Sequence, residues 1–266
     1  MPELPEVQTI ADSLKEIEGS QILSLIIQWK KSYVGATRFD NVRIIKISRR
    51  AKYIKMLLSS NEHLYIHLRM SGRLSVENSK RAYNRHEHVV FSLSSNKFLI
   101  FHDTRKFGRI VRTNDYIKFE SKLGVEPFEM DIEETARKMI EKKRQLKALL
   151  LDQSFIAGLG NIYVDEALFE AKLHPLKKAS SLTFKEAFSL LEACKTVLKR
   201  GLENQGTSLG VGKANYLKPN GKNGENQHAL KVFRKTGLAC PECGERIERM
   251  IIVQRSSHFC PNCQLL

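Results

Sequence analysis

The sequence predicts an α+β protein in which an N-terminal helix and an antiparallel β-sandwich are followed by a helical domain. Short runs of strand character alternate with Gly, Asn and Ser up to about residue 102, and helical periodicity extends from about residue 130 to residue 203. The chain of 266 residues is also longer than one hydrophobic core usually fills. We therefore expect two domains, joined by a linker at 116–130.

The first element is predicted to be a helix that begins almost at the start of the sequence. Its apolar residues recur at intervals of three and four, which is the spacing of one helix face. Pro5 suits the first turn of a helix, and Gly19 suits its end. The apolar positions are Val7, Ile10, Ala11, Leu14 and Ile17.

Short strands are predicted next, at 21–29, 42–48, 53–58, 63–68, 88–93 and 97–102. In the fourth run, Leu64, Ile66 and Leu68 alternate with polar or amphipathic residues. Because successive side chains of a strand point to opposite faces, one face should meet the core and the other should be polar. Strands at such short intervals are typical of an antiparallel sandwich, which we assign to 1–115.

The second half is predicted to be helical at 131–144, 146–152, 161–172 and 183–203. Residues 204–228 are rich in Gly, Asn and Gln and cannot form a packed element, so we expect a long loop within a domain at 131–228. Loops of that length are usually functional or disordered. The remaining segment, 229–266, contains a separate cysteine-rich hairpin.

The positive charge is concentrated in clusters. The formal net charge is +15, and such an excess indicates a polyanionic partner. One cluster alone is usually a solvated face, but clusters in both domains and in the hairpin favour a groove that follows nucleic-acid phosphates. The clusters are Arg43, Lys46, Arg49, Arg50, Lys52 and Lys55; Arg137, Lys138, Lys142, Lys143, Arg144 and Lys147; and Arg246, Arg249 and Arg255.

Membrane and secretory signals are not found in the sequence. There is no run of about 18 uncharged apolar residues, and the first residues lack a basic segment followed by an apolar one. We therefore expect neither a membrane span nor Sec-type secretion.

Four of the five cysteines predict a zinc site. Cys240 and Cys243 form one Cys-x-x-Cys pair, and Cys260 and Cys263 form a second, separated from the first by 16 residues. This spacing is typical of a tetrahedral four-thiolate zinc site with two tight turns. The alternative, a redox pair, normally occurs singly near a strand-helix unit. Cys194 lies on the apolar face of a predicted helix and should be inert core.

A glycine-rich segment precedes the helix predicted at 161–172. Gly158 and Gly160 stand directly before Asn161, so backbone N–H groups at the helix start could approach a phosphate. Glycine-rich turns between helices are common, and this signal is weak by itself.

Six signatures occur in order along the chain: Pro2-Glu3-Leu4-Pro5-Glu6-Val7, Arg49-Arg50-Ala51-Lys52-Tyr53, His67-Leu68-Arg69-Met70-Ser71-Gly72, Asp103-Thr104-Arg105-Lys106-Phe107-Gly108, Gly158-Leu159-Gly160-Asn161-Ile162-Tyr163, and the cysteine hairpin with Gln254-Arg255. With them the chain resembles the bacterial formamidopyrimidine-DNA glycosylase family over essentially its whole length. It resembles that family more than the related endonuclease VIII, which usually differs at Leu4 and in the Met-Ser-Gly run.

The resemblance implies a β-sandwich, a helix-two-turns-helix module and a zinc β-hairpin with one structural zinc ion. It implies a base-excision-repair enzyme acting on double-stranded DNA that contains an oxidised base or an abasic site. The implied reaction is removal of 8-oxoguanine opposite cytosine, or of formamidopyrimidines, followed by β,δ-elimination. We expect a monomer located in the bacterial cytoplasm and associated with the nucleoid.

The resemblance also implies removal of Met1, so that Pro2 becomes the terminal residue and the nucleophile. The ordinary pKa of a terminal amine is about 8, and the positive end of the following helix should lower it. Glu3 is implied as general acid/base, Lys52 as proton donor for β-elimination, and Arg255 in δ-elimination and in holding a phosphate. Because a guanidinium rarely loses a proton, the phosphate role is physically safer. Without the resemblance, Pro2 would be a helix-starting residue and Lys52 one more strand cation.

The remaining implied residues contact DNA. Met70, Arg105 and Phe107 are implied to fill the void that a flipped base leaves in the duplex. His86, Lys142, Lys147 and Asn161 are implied to contact the backbone or the lesion side. Alternatives from the residues alone are ordinary core for Met70 and Phe107, and a surface histidine for His86.

Two departures from the family pattern stand out. The resemblance implies that the loop within 204–228 covers the flipped base. Its part 207–228 differs from the family pattern at Leu209–Asn215, so the lesion preference does not transfer directly. Phe233-Arg234-Lys235 and Val253 replace a more usual Tyr-Gly-Arg and Gly near the hairpin. The alternatives are an endonuclease VIII-like glycosylase for oxidised pyrimidines, or a non-catalytic zinc protein that binds nucleic acid. Pro2-Glu3 argues against the second, since a pure binder needs no processed proline.

Overall fold

The computed structural model describes residues 1–210, 216–218 and 221–266, in two compact units. Unit 1 consists of Met1–Ser121 with Asn204–Gln227, and unit 2 consists of Lys122–Glu203 with His228–Leu266. Across the described residues, no helix is both long enough and apolar enough to cross a membrane.

Unit 1 begins with helix α1, Leu4–Leu14, as the apolar spacing predicts. Glu3 caps its N-terminus through a capping box, in which Glu3 and Glu6 each accept a hydrogen bond from the other's backbone N–H. Pro5 stands in the first turn, where a missing N–H costs nothing. The apolar face of α1 is buried in the core of the unit.

Two sheets form the β-sandwich of unit 1. One sheet has the strand order β1-β7-β8-β6, and the other has the order β2-β9-β5-β4-β3. Side chains from both sheets and from α1 share one core cluster. The strands are β1 Ile22–Ile27, β2 Tyr33–Val34, β3 Ile44–Arg50, β4 Tyr53–Leu58, β5 His63–His67, β6 Gly72–Glu77, β7 Glu87–Leu93, β8 Lys97–Asp103 and β9 Arg109–Thr113. All pairings are antiparallel except the short β2–β9 pair.

The predicted polar face of the fourth strand run differs from the structure. All five residues of β5 are buried, His63, Tyr65 and His67 included. A short helix, α2 at Tyr116–Glu120, covers this face, and the ring of Phe119 stacks on that of Tyr65 at 4.0 Å between centroids. Helix α2 lies within the segment predicted to be a linker. The strand pattern alone does not show that a later segment covers this face.

Unit 2 is built from four helices and a hairpin. The helices are α3 Ile132–Ile140, α4 Leu146–Leu150, α5 Asn161–Glu170 and α6 Phe184–Glu203, and the strands are β10 Glu248–Ile252 and β11 Arg255–Phe259. Asp131 caps α3 by accepting a hydrogen bond from the Glu134 N–H at 3.0 Å. Helices α3 and α5 pack on α6, and α5 also packs on β11.

The loop predicted at 204–228 within the helical domain belongs to unit 1 over Asn204–Gln227. Tyr216 is buried in the core of the sandwich, and the Thr207 N–H donates to the Glu6 carboxylate at 2.7 Å. Both contacts are with residues more than a hundred positions away, which sequence periodicity does not report. Residues 211–215 and 219–220 of the predicted lesion-covering loop lie outside the described residues.

Candidate active site and metal centre

The predicted nucleophile lies at a buried chain start in unit 1. Pro2 is buried, and Glu3 is only 3% exposed. The Glu6 carboxylate accepts the Glu3 N–H at 2.7 Å with one oxygen and the Thr207 N–H at 2.7 Å with the other. Two backbone segments distant in sequence are thereby joined through one carboxylate beside Pro2. A Cβ on Gly206 would lie 2.9 Å from the Glu6 Cγ, so glycine allows this close approach.

Lys52 lies in the two-residue turn between β3 and β4, the strands on which α1 packs. Its side chain is 4% exposed, which is unusual for lysine. Burial, with the positive charges of Arg69 and Lys52, lowers the pKa of His67 to about 3. The neutral His67 ring accepts a hydrogen bond from the Arg69 N–H at its Nδ1, at 3.0 Å. Lys52 is therefore within electrostatic reach of the segment that leads to Met70.

The three predicted void-filling side chains, Met70, Arg105 and Phe107, come together at one edge of unit 1. The Arg105 guanidinium donates to the Met70 Sδ at 3.2 Å and lies 4.9 Å from the centre of the Phe107 ring. Met70 and Phe107 are 47% and 49% exposed, so neither is the core residue that the alternative interpretation expected. We call Met70, Arg105 and Phe107 the wedge residues.

The backbone of His86 is hydrogen-bonded to Asp103, the residue that precedes the segment with Arg105 and Phe107. Its carbonyl accepts the Asp103 N–H at 2.8 Å, and its ring lies 5.8 Å from that of His102. The ring is half-buried, and its Nε2 accepts a hydrogen bond from Arg85 at 3.2 Å. The structure thus places His86 at the same edge of unit 1 as the wedge residues.

A basic cavity of about 440 Å³ brings Asn161 and Arg255 together in unit 2. The Asn161 Nδ2 donates to the Ser256 carbonyl at 2.8 Å. Among the described side chains, its Oδ1 is one of the buried atoms that lack a hydrogen-bond partner. Gly160 caps α5 without a side-chain hydrogen bond, and the positive end of the helix faces the side on which Asn161 stands. The cavity is lined by Asn161, Phe233, Arg234, Arg249, Arg255, Ser256 and His258.

Lys147 and Lys142 differ in their environment. Lys147 is fully buried, and its ammonium donates to the Asp165 carboxylate at 2.5 Å and to the Asn161 carbonyl at 3.4 Å. The charge of Lys147 is thus paired inside unit 2, and its predicted contact with DNA stays a prediction. Lys142 is exposed just after α3 and stays a candidate for DNA contact.

Two adjacent buried acids support this cavity, and both were missed in the sequence. The second Asp165 oxygen accepts the His258 N–H at 3.0 Å, which links α4, α5 and the hairpin. Glu166 accepts the backbone N–H groups of residues 231–233 at 2.8–2.9 Å, and burial raises the pKa of its carboxyl while these donors lower it. Two adjacent acids in the middle of a mostly apolar helix were the available signal, since buried carboxylates need partners.

The four cysteines of the hairpin form a metal centre. Their Sγ atoms all lie within 4.8 Å of one another, and Cys240–Cys263 and Cys243–Cys260 are 3.9 and 3.4 Å apart. Tetrahedral coordination with bonds of about 2.3 Å requires sulfur atoms roughly 3.8 Å apart, so the set fits zinc. Gly244, with φ +80°, closes the first tight turn. With all four ligands from the protein, the predicted single zinc ion is structural.

Comparison with known families agrees with this order of parts. Family models match residues 1–110 (Formamidopyrimidine-DNA glycosylase N-terminal domain), 123–212 (Formamidopyrimidine-DNA glycosylase H2TH domain) and 237–265 (Zinc finger found in FPG and IleRS). The formamidopyrimidine-DNA glycosylase of Protochlamydia amoebophila is 44% identical, with 99% of each chain covered. That of Herpetosiphon aurantiacus is 41% identical, with 99% of this chain and 100% of the relative covered.

Solved structures give the same result. The FPG protein of Thermus thermophilus is 36% identical with a TM-score of 0.90, over 99% of this chain and 98% of that one. A variant of the Lactococcus lactis FPG protein, solved with DNA containing Fapy-dG, is 31% identical with a TM-score of 0.90 and complete coverage of both chains. The predicted α+β fold class is confirmed. The chain belongs to the formamidopyrimidine-DNA glycosylase family.

Proposed function

We propose that this chain is a bifunctional DNA glycosylase and AP lyase that removes oxidised purines from duplex DNA through a covalent bond to Pro2. The observation that carries the proposal is the buried start of α1, where Pro2 and Glu3 are held by the Glu6 hydrogen bonds. Full-length relatives named formamidopyrimidine-DNA glycosylase support the reaction class.

The proposed first step uses Pro2 as an uncharged secondary amine after removal of Met1. Its nitrogen forms a bond to C1′ of the damaged nucleotide, and the bond between C1′ and the base breaks with its electron pair leaving on the base. Opening of the sugar ring then gives an iminium cation. Glu3, next in the chain, is in position to transfer protons to and from the sugar oxygen.

The iminium makes strand cleavage possible. As an electron sink it acidifies the 2′-hydrogen, and loss of that proton expels the 3′-phosphate. A second elimination expels the 5′-phosphate and leaves a gap. We assign the role of proton donor in this first elimination to Lys52, which is buried in the turn between the two strands on which α1 packs. Hydrolysis of the remaining imine returns the free amine of Pro2.

We assign phosphate binding in unit 2 to the basic cavity. Arg255, Arg249 and Arg234 supply guanidinium groups there, and Asn161 stands at the positive end of α5. Arg255 thus acts as a phosphate ligand, and the elimination does not need it to lose a proton. The zinc ion holds the two ends of the hairpin together and thereby supports the position of Arg255.

The wedge residues and His86 are assigned to the DNA duplex. Flipping a nucleotide costs a few kcal/mol and leaves a void, which exposed Met70 and Phe107 can fill. Arg105, whose guanidinium contacts both side chains, is assigned to the hydrogen bonds with the orphaned cytosine. Exposed Lys142 is assigned to the DNA backbone. We further propose a monomer in the bacterial cytoplasm, associated with the nucleoid.

The test is borohydride trapping of the protein lacking Met1 with two duplexes, one containing 8-oxoguanine opposite cytosine and one containing thymine glycol. We expect a covalent adduct with the 8-oxoguanine duplex, mapped to Pro2 by peptide mass spectrometry. Pro2→Gly is the matched variant, and its adduct should fall sharply because a primary amine replaces the secondary one.

Three results would argue against the proposal. A folded protein that traps neither duplex is no lyase, and the non-catalytic binder becomes the better interpretation. Efficient trapping of thymine glycol alone would favour the endonuclease VIII-like alternative. Normal trapping by Pro2→Gly, with the adduct on another residue, would remove Pro2 from the reaction.

A further inference from the structure

The wedge residues stand on two separate chain segments. Met70 lies in the turn before β6, whereas Arg105 and Phe107 lie in the turn 104–108 between β8 and β9. Insertion into a duplex at one step requires both turns to keep a fixed relative position. The contacts beneath the exposed side chains therefore determine whether the three wedge residues enter the DNA together or whether the two turns enter independently.

One buried carboxylate, that of Asp103, bonds to both turns. Its Oδ1 accepts hydrogen bonds from the Ser71 hydroxyl and from the Arg105 N–H at 3.1 Å, and its Oδ2 accepts the Gly108 N–H at 2.7 Å. The Ser71 oxygen in turn accepts the Arg105 N–H at 3.2 Å. Asp103 is 0% exposed, so these donors replace the water that an isolated carboxylate would need.

The backbone of Asp103 is fixed independently of its side chain. It is the last residue of β8, where it pairs with Gly72 of β6. Its N–H donates to the His86 carbonyl at 2.8 Å, and its own carbonyl bonds to the His88 ring at 2.7 Å. The carboxylate thus projects from a rigid strand end rather than from a turn.

The turn 104–108 is closely fitted around this carboxylate. A Cβ on Gly108 would lie 2.4 Å from the Phe101 ring and 3.2 Å from the Asp103 Oδ2, so only glycine permits the short N–H bond. Lys106 has a positive φ of 61°, and its ammonium lies 4.4 Å from the centre of the Trp29 ring.

We propose that Asp103 is a positioning residue that holds the two wedge turns together, so that Met70, Arg105 and Phe107 enter the duplex as one unit. The inference rests on the proposed function, since it concerns how that reaction reaches its base. In this proposal, the link between the two turns helps to evict the base from the duplex, and Pro2 carries out the covalent chemistry. Loss of the link should therefore slow excision of a paired base more than cleavage at a site that has no base to evict.

The test compares Ser71→Ala, in the turn before β6, with Ser75→Ala, within β6. Single-turnover rates are measured on 8-oxoguanine opposite cytosine and on a preformed abasic site opposite cytosine. We expect Ser71→Ala to slow excision about tenfold, the effect of one lost hydrogen bond to a charged group, and to change abasic cleavage far less. Ser75→Ala should leave both rates unchanged.

A double-mutant cycle gives a second readout. In the wild-type background, the effects of Met70→Ala and Phe107→Ala on excision should be non-additive, because the two residues act together. In the Ser71→Ala background they should become additive. Asp103→Asn should resemble Ser71→Ala with a larger loss. Because Trp29 is the only tryptophan of the chain and contacts Lys106, its fluorescence checks that each variant keeps the fold around the turn.

Equal losses on both duplexes, or no loss on either, would overturn the positioning role of Asp103. Non-additivity that persists unchanged in the Ser71→Ala background would also overturn it. Failure of the wild-type protein on both duplexes is a different result, since it would overturn the proposed function itself.

Discussion

Buried acids at the residue scale hold distant backbone segments in this protein. Glu6 joins the start of α1 to Thr207, Asp103 joins the two wedge turns, and Glu166 receives three consecutive N–H groups from residues 231–233. The contacts of Glu6 and Glu166 use backbone donors, which do not depend on side-chain identity at the partner position, whereas Asp103 reaches the Met70 turn through the Ser71 hydroxyl. These acids therefore fix the relative positions of backbone segments, whereas a count of charges shows only that they lower the net positive charge.

We predict that Glu6→Gln destabilises the protein and lowers excision. An amide offers one acceptor and one NH₂ group, so either the Glu3 N–H or the Thr207 N–H would face another donor. Leaving one buried donor unsatisfied costs about 2 kcal/mol, measurable as a lower urea midpoint of unfolding. Glu16→Gln is the control, because its pair with Lys97 is at the surface and should contribute at most about 1 kcal/mol. Equal midpoints for both variants would contradict the prediction.

We predict that stability falls below pH 6.5 partly because of His67. Burial lowers its pKa in the folded protein to about 3, against 6.5 when it is free. The unfolded chain therefore binds the extra proton first, and His67 contributes stability above pH 6.5 that is progressively lost as the pH falls toward 3. His67→Asn should flatten the dependence of the unfolding free energy on pH between 7 and 5, since the other histidines are unchanged. An identical slope in the variant would exclude this contribution.

At the scale of elements, the sequence predicts the helices with a clear apolar period and the spacing of the cysteine pairs. It does not predict which strand faces are covered by other elements, or where very short helices lie. The apolar spacing of α1 and α6 and the two cysteine pairs each lie within one stretch of sequence. The five-residue helix α2 has too few residues to show a period, and β5 is covered only because α2 packs on it. In the sequence, Lys147 is one more cation of its cluster, whereas in the structure it is paired with Asp165 of α5. Such pairings depend on tertiary packing.

The hairpin turn between β10 and β11 contains a strained residue. Val253 and Gln254 both have positive φ, 49° and 57°, and a β-branched residue is unfavourable there. Val253→Asn should stabilise the hairpin by about 1 kcal/mol, because Asn tolerates this conformation. We expect slower zinc release to a chelator, followed with a colorimetric zinc indicator. Ile251→Asn is the control at an exposed strand position, and faster release from Val253→Asn would refute the assignment of strain.

At the scale of the whole molecule, the net charge of +15 separates into groups with different tasks. Lys147 is neutralised inside unit 2, and Lys52 is buried in unit 1. Arg255 and Arg249 line an open cavity, and Lys142 is at the surface. Net charge therefore overestimates the number of cations that meet phosphates. DNA affinity should depend on the accessible ones.

We predict a steep decrease of DNA affinity with salt, because phosphate contacts release counterions. Arg255→Ala should weaken binding and reduce the slope of log K against log salt by about 1, as expected for one lost phosphate contact. Lys199→Ala, at an exposed position of α6 outside the three basic clusters, should leave the slope unchanged. Fluorescence anisotropy with an abasic-site duplex at several salt concentrations measures both. A slope unaffected by Arg255→Ala would place that residue away from the DNA backbone.

Because each unit is built from two separate segments of the chain, neither unit is complete until its second segment has been synthesised. The chain passes from unit 1 to unit 2 after Ser121, returns at Asn204, and leaves again after Gln227. A ribosome therefore releases the sandwich strands long before Thr207 and Tyr216, the residues that complete the core beside α1. The start of α1 cannot acquire its final hydrogen bonds until the helices of unit 2 have been translated. The hydrogen bonds at the start of α1 are thus completed late in synthesis, shortly before the cysteine hairpin emerges.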